Sequence, residues 1–338
     1  MIRLHVPGLY DSDFSGGNTR LGDAQIIDDG KNYDVIDGYC GKGADRLISA
    51  LKDRDIRTPF LHDSHFHWDH YDGIRRIIND KWFKPRALYC QNPDSITAYN
   101  SSIKEDIDAM RTIIKEAKAR KIPVIYLKQG DKIIHGDIKF TVYRDNPKYN
   151  GNSEAYLNDG SLCYWFPELS YLTTGDAGMW CAQRYNLSVK FHKGGHHGND
   201  ESGDSDNMTP SKMTKWMKNN GCLYYWDNDY STKLTDFLMT GREDAQNAGM
   251  KCFDIHGDIN AIFFRKRAVI YKDGGIYRYD CSYNGAPTLK DPTLEIIKEV
   301  LKGNAGSGDE RATYLLNRNQ NYGLVQKEIN ELFKLIKG

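Results

Sequence analysis

The sequence predicts an α/β fold in which two β-sheets are layered between helices, an αββα sandwich, followed by a small three-helix bundle. Three observations carry that prediction. Short apolar runs bounded by Gly, Asp and Asn alternate with segments of helical period up to residue 283. One junction, Leu61 to Gly73 (LHDSHFHWDHYDG), runs from a strand through a loop into a helix and holds four of the ten histidines together with three aspartates. After residue 287 the strand pattern stops, and residues 292–337 repeat apolar residues at helical spacing.

Taken in order, residues 3–6, 24–28 and 33–36 read as short strands, with the turn-rich DSDFSGGN between the first two. Residues 43–53 place Leu47, Ile48 and Leu51 on one helical face, and residues 59–61 form the strand that delivers the histidine-rich loop. Ile74, Ile77 and Ile78 then predict a helix directly behind that loop. A strand at 87–90, a long helix over about 102–121 and strands at 124–127 and 138–143 follow, with His135 in the turn before the last of these, structural or solvent-facing. Residues 157–177 read as a strand, a turn and a strand ending in Thr174-Gly175-Asp176-Ala177. A strand at 188–191, a helix at 210–219, a strand at 223–226, a helix at 242–249 and strands at 252–255, 261–264, 268–271 and 276–279 complete the sandwich over residues 1–283. Residues 284–291 are a linker and 292–338 the bundle.

Composition excludes several classes. Lysines plus arginines equal aspartates plus glutamates at 46 each, so no global field draws the chain to nucleic acid. The seven cysteines are scattered, odd in number and never in a CxxC, which argues against a disulfide framework and a zinc knuckle and for reduced, buried thiols. No apolar stretch resembles a signal peptide or approaches a membrane span, so the chain is expected to be made as a cytoplasmic protein without membrane insertion.

The chemistry concentrates in His65-x-His67-x-Asp69-His70. In an extended segment residues i and i+2 point the same way, so His65 and His67 can grip one divalent ion, while Asp69 and His70 turn onto a second. The ligand types suit zinc, with manganese or iron as alternatives. Asp176, after a glycine that permits close backbone approach, is the candidate bridge. Ser64-HFHWDH-Tyr71-Asp72-Gly73 resembles the signature of the metallo-β-lactamase superfamily, a small residue followed by HxHxDH and a nearby glycine, matched without a gap. That resemblance implies the αββα sandwich and metal-dependent hydrolysis. Ile36-Asp37-Gly38 matches the strand-ending Asp-Gly that precedes the motif in that superfamily, and Asp37 reads most simply as a turn carboxylate.

The resemblance narrows at two places. Asn158, Asp159 and Ser161 stand where many relatives carry a histidine, as in the hydrolase domain of competence proteins and the pneumococcal teichoic-acid phosphorylcholine esterase, which implies an open position on the first ion. His196-His197 in Gly-Gly-His-His-Gly resembles the paired histidines of the same relatives. It implies His197 as a ligand of the second ion and leaves His196 to assist the leaving group or to anchor its loop. The implied roles are His65 and His67 on the first ion, Asp69, His70 and His197 on the second, Asp176 on both, and Asp69 also orienting the nucleophile. His192 reads as a surface residue and His256 as a turn residue. Tyr224, Tyr225, Trp226 and Tyr230 form a core or an aromatic wall for a sugar or quaternary ammonium.

Residues EVLKGNAGSGDERATYLL and NYGLVQKEIN resemble the short cell-wall-binding repeat at the C-termini of certain phage lysozymes, through Gly303, Gly306, Gly308, Glu310, Arg311, Leu315, Tyr322, Val325, Gln326 and Asn330. Asn304-Ala305 departs from the Lys-aromatic pair usual there. The resemblance implies a wall ligand, glycan, muropeptide or teichoic acid, met through Arg311, Tyr322 and Gln326. The expected function is a two-metal phosphodiesterase or esterase acting on cell-envelope material and released at lysis. The alternatives are a nuclease or nucleotide phosphodiesterase, with nucleic acid or a nucleotide as partner, and a non-enzymatic wall-binding protein with a structural metal.

Overall fold

The computed structural model describes residues 1–9, 13, 21–177, 180–198, 223–226, 251–254, 257–264, 266–272, 275–285, 294–318, 320, 325–326 and 329–330. Two sheets dominate it. The first has nine strands in the order β16-β15-β14-β1-β2-β3-β4-β5-β6. Their ranges are β1 Ile2–Val6, β2 Gln25–Asp28, β3 Tyr33–Ile36, β4 Phe60–His62, β5 Ala87–Cys90, β6 Val124–Tyr126, β14 Ile259–Phe264, β15 Arg267–Lys272 and β16 Gly275–Asp280. Strands β3 to β6 run parallel, and the rest of the sheet is antiparallel. The second sheet has the order β13-β12-β11-β10-β9-β8-β7, built from β7 Lys132–His135, β8 Ile138–Tyr143, β9 Cys163–Phe166, β10 Tyr171–Thr173, β11 Phe191–Lys193, β12 Leu223–Trp226 and β13 Lys251–Asp254.

Parallel neighbours need crossovers, and helices supply them. The helix α1 (Gly41–Asp53) joins β3 to β4, α2 (Trp68–Asn79) joins β4 to β5, and α3 (Ser101–Ala119) joins β5 to β6. Each buries one apolar stripe, such as Ile74, Ile77 and Ile78 in α2 and Ile103, Ile107, Met110, Ile113 and Ile114 in α3. Asn100 caps α3 by accepting from the Ile103 amide at 3.0 Å. The two sheets share one core, in which Val35, Leu61 and Leu88 of the first pack in the same cluster as Phe140, Tyr164, Phe166, Tyr171 and Phe191 of the second. The helices expected at 210–219 and 242–249 lie outside the described residues.

Three expectations change. The stretch at 157–159 ends a helix, α4 (Ser153–Asp159), because Asn152 caps it by accepting from the Ala155 amide at 3.1 Å. Strand β11 starts three residues later and ends two later than predicted, which buries His192 completely instead of exposing it. Its Nδ1 lies 3.2 Å from the Leu172 carbonyl, and burial holds the imidazole neutral with a pKa of about 3. His135 ends an unpredicted strand, β7, and is buried against Phe60 with ring centroids 3.5 Å apart. The described cysteines, Cys40, Cys90, Cys163, Cys181 and Cys281, are buried and free, as expected.

Toward the C-terminus come a short helix, α5 (Trp180–Arg184), and then α6 (Leu294–Leu301) and α7 (Gly308–Asn317), with helical backbone at 325–326 and 329–330. Val300, Ala305, Leu315, Val325 and Ile329 form their own apolar cluster, separate from the main core.

Candidate metal centre

Strands β3 and β4 of the first sheet and β10 and β11 of the second end at one rim, where open α/β sheets place their ligands. After β4 the chain passes Ser64, His65 and His67 and enters α2, whose first turn carries Asp69 and His70. After β10 a turn closed by the Ala177 amide on the Thr174 carbonyl (3.0 Å) presents Asp176. Gly175 has φ +55°, and a Cβ there would lie 2.6 Å from Ser64 Oγ, so only glycine lets the two loops meet.

The structure brings His65, His67, His70 and Asp176 together. His65 Nε2 lies 2.9 Å from His67 Nδ1 and 3.6 Å from Asp176 Oδ2. His70 Nε2 lies 3.1 Å from Asp176 Oδ1. The two oxygens of Asp176 therefore face different imidazoles. The far side of each ring is occupied: Ser64 Oγ lies 3.0 Å from His65 Nδ1, and Asp37 Oδ2 lies 3.1 Å from His70 Nδ1. Such partners fix which nitrogen points into a site. Asp37 is thus more than a turn carboxylate. It is fully buried at φ 58°, and its second oxygen accepts from the Ser64 amide at 2.8 Å.

Burial, then the neighbouring His70, pushes the His65 pKa well down, and burial lowers that of His67, so both stay neutral, the form in which imidazole ligates. Burial also disfavours charge on His70, but Asp176 and Asp37 on its two sides outweigh it and raise the pKa well above the usual value. Burial, reinforced by Asp37, pushes the Asp63 carboxyl well up. The buried nitrogen and oxygen donors of His65, His70 and Asp176, with half-buried His67 beside them, could hold divalent ions.

Asp69 and His196 line a cavity of about 230 Å³ together with His67, Trp68, Asp176, Ser102, Asp106, Ser153 and Glu154. His196 Nε2 faces Glu154 at 3.6 Å. The His197 side chain, His256, Tyr230 and the side chains of Tyr224, Tyr225 and Trp226 lie outside the described residues. Ser161 Oγ accepts from the Asp176 amide at 3.3 Å, which explains part of the polar stretch at 158–161. Asn158 is fully buried, and neither polar atom of its side chain has a hydrogen-bond partner among the described residues.

A second buried group has similar make-up. His62 Nε2 and His135 Nδ1 both lie on Asp34 Oδ1, at 2.6 and 2.7 Å, and His135 Nε2 meets the Tyr89 hydroxyl at 3.0 Å. Burial alone would raise the Asp34 pKa, but the two imidazole hydrogen bonds hold it below the usual range. No feature of the local sequence had linked Asp34 to His135, 101 residues away.

In the C-terminal region Arg311 donates through Nε and Nη2 to the Gly306 carbonyl at 3.2 and 3.0 Å, and through Nη1 to Gln326 at 3.0 Å. Both residues thereby hold the glycine-rich turn to the helical backbone at 325–326. Tyr322 lies outside the described residues.

Residues 295–333 match the CW_7 repeat, a cell-wall-binding repeat. No curated protein matches the sequence. Among solved structures, the metallo-beta-lactamase fold protein YhfI of Bacillus subtilis is similar over 75% of this chain and 96% of its own, at 13% identity and a TM-score of 0.49. Unliganded yeast PDE1 is similar over 75% of this chain and 98% of its own, at 10% identity and a TM-score of 0.47. Igni18, a metallo hydrolase from the archaeon Ignicoccus hospitalis, is similar over 77% of this chain and 99% of its own, at 10% identity and a TM-score of 0.45.

Proposed function

We propose that this chain is a metal-dependent hydrolase of the phosphodiesterase or esterase class that acts on bacterial cell-envelope material. The observation that carries the proposal is Asp176, whose oxygens face His65 and His70 separately at 3.6 and 3.1 Å within a buried histidine cluster. His65 and His67 would hold one divalent ion and Asp69, His70 and His197 another, with Asp176 between them. When bound, the ions supply Lewis acidity that makes water available as hydroxide near neutral pH and neutralises substrate oxygens. Zinc suits these donors best.

The chain's own residues do the rest. Ser64 and Asp37 hold the rings of His65 and His70 in register. Asp69 orients the attacking water from the cavity wall. His196, beside Glu154, is placed to give a proton to the leaving group. The exposed face of Trp68 and the serines of α3 and α4 border the space left for substrate.

We divide the chain into a hydrolase domain at 1–283, a linker at 284–291 and a wall-binding domain at 292–338, which the separate apolar cluster around Leu315 supports. No described helix is long and apolar enough to cross a membrane, so attachment to the envelope would rest on the CW_7 repeat.

The test uses the purified full chain in three assays: zinc content, turnover of bis-p-nitrophenyl phosphate and co-sedimentation with purified peptidoglycan. Stoichiometric zinc, chelator-sensitive turnover and wall binding are the expected results. DNA cleavage without wall binding would favour the nuclease reading, and absence of any turnover would refute a hydrolase.

A further inference from the structure

Lys193, at the end of β11, is completely buried, and its ammonium forms an ion pair with the equally buried Asp23 just before β2. Burying two charges is unfavourable unless geometry compensates, so a pair in this place calls for a reason beyond stability. Its other contacts supply one. Lys193 Nζ also donates to the Gly175 carbonyl at 3.2 Å, one residue before Asp176. Carboxylate oxygens of Asp23 and Asp37 lie within 4.8 Å of each other and of a ring nitrogen of His70. The His70 ring in turn joins Asp37 to Asp176, at 3.1 Å on each side.

Lys193 thus pairs with Asp23, whose carboxylate lies within 4.8 Å of Asp37 and of the His70 ring, while His70 meets Asp176 and the Gly175 carbonyl leads back to Lys193. This set of contacts ties the first sheet to the second behind the cluster of histidines. Backbone contacts extend it to the remaining motif carboxylate: the Asp23 amide donates to the Asp69 carbonyl at 3.3 Å, and a Cβ on Gly22 would lie 1.6 Å from that same oxygen.

Resting on the hydrolase reading above, we propose that Lys193 and Asp23 form a positioning pair, which sets the Asp176 tip and the His70 ring at the separation that two ions require. Neither residue touches substrate. Lys193 donates from behind to the carbonyl of Gly175, and Asp23 keeps the ammonium from acting as an uncompensated positive charge beside the ions.

The double substitution Lys193→Met/Asp23→Asn leaves the net charge beside the site unchanged, and Lys193→Arg, which keeps the Asp23, Asp37 and His70 donors intact, separates loss of position from loss of a donor. Zinc dissociation constants of the metal-free full chain are measured by competition with a chromogenic chelator, beside thermal melts of the metal-free proteins. The expected result is a melt close to wild type with zinc bound about tenfold or more weakly, the range seen when groups supporting metal ligands are removed. Zinc bound as tightly as by the wild type overturns the proposal and makes the pair a purely structural tie. Should the double variant fail to fold, Lys193→Arg keeps the ion pair but displaces the donor from the Gly175 carbonyl. The same weakening is then expected, and its absence is equally decisive against the proposal. A wild type that binds no zinc removes the metal-centre reading itself, whereas a zinc-binding wild type matched by its variants removes the positioning role alone.

Discussion

His65, His67, His70 and Asp176 on one side, and Asp34, His62 and His135 on the other, are both largely buried sets of imidazoles around a carboxylate, but their spacing separates them. Tetrahedral zinc with bonds of about 2.0 to 2.1 Å sets neighbouring donors about 3.3 Å apart. The first set brackets that value, from 2.9 to 3.6 Å. In the second, both rings converge on one oxygen at 2.6 and 2.7 Å, too near to share an ion and ideal for hydrogen bonds to a carboxylate. In the Asp34 group the Tyr89 hydroxyl also meets the remaining ring nitrogen of His135. In the first group the Asp176 oxygens are split between two rings, an arrangement that cations would complete. Residue type alone does not separate the two groups; donor spacing does.

The sharpest way to break this contrast is Asp176→Asn. Loss of a charge held for the transition state is expected to lower turnover by about 10²- to 10³-fold, with a fall in zinc per chain by elemental analysis and little change in the metal-free melt. Asp34→Asn should do the reverse. It removes the shared acceptor of two buried rings and is expected to cost about 3 kcal/mol in denaturant unfolding, with zinc content preserved in the fraction that stays folded. Equal zinc loss in both variants would erase the distinction.

Two pH experiments sharpen it further. Burial lowers the His192 pKa to about 3. The unfolded chain takes up this proton near pH 6.5, whereas the folded chain resists until about pH 3. The stability linked to this group is therefore present above pH 6.5 and declines as pH falls toward 3. His192→Gln, which can still donate to the Leu172 carbonyl, should flatten that acid limb in melts taken from pH 7 to pH 3. The smallest effect is expected at Asp106 on the cavity wall. Burial, with Glu105 and Asp69 adding to it, raises its pKa to about 6. Its protonated form favours the fold, so its contribution is complete below about pH 4 and lost as pH rises through 6. Asp106 is only partly buried, so Asp106→Asn should change the melting profile in that window by no more than a degree or two.

The HxHxDH motif was legible because it is local: a strand end and a helix start bring His65, His67, Asp69 and His70 to one rim without help from distant chain. Asp176 could be found because a glycine before a carboxylate at a strand end has a physical reason to exist. The C-terminal repeat was likewise written in short-range spacing and reappears in the matched CW_7 repeat. Strand β11 was misplaced by two to three residues because a three-residue strand, buried throughout, has no alternation to reveal its register.

What the sequence by itself determined is most of the strand and helix order and the local HxHxDH pattern, since both follow from residue spacing over a few positions. Tertiary structure alone decided that Asp37 grips His70, that Lys193 meets Asp23, and that His135 belongs to Asp34. Those partners are 33, 170 and 101 positions apart, and only the pairing of strands within and between two sheets brings such distant side chains within reach.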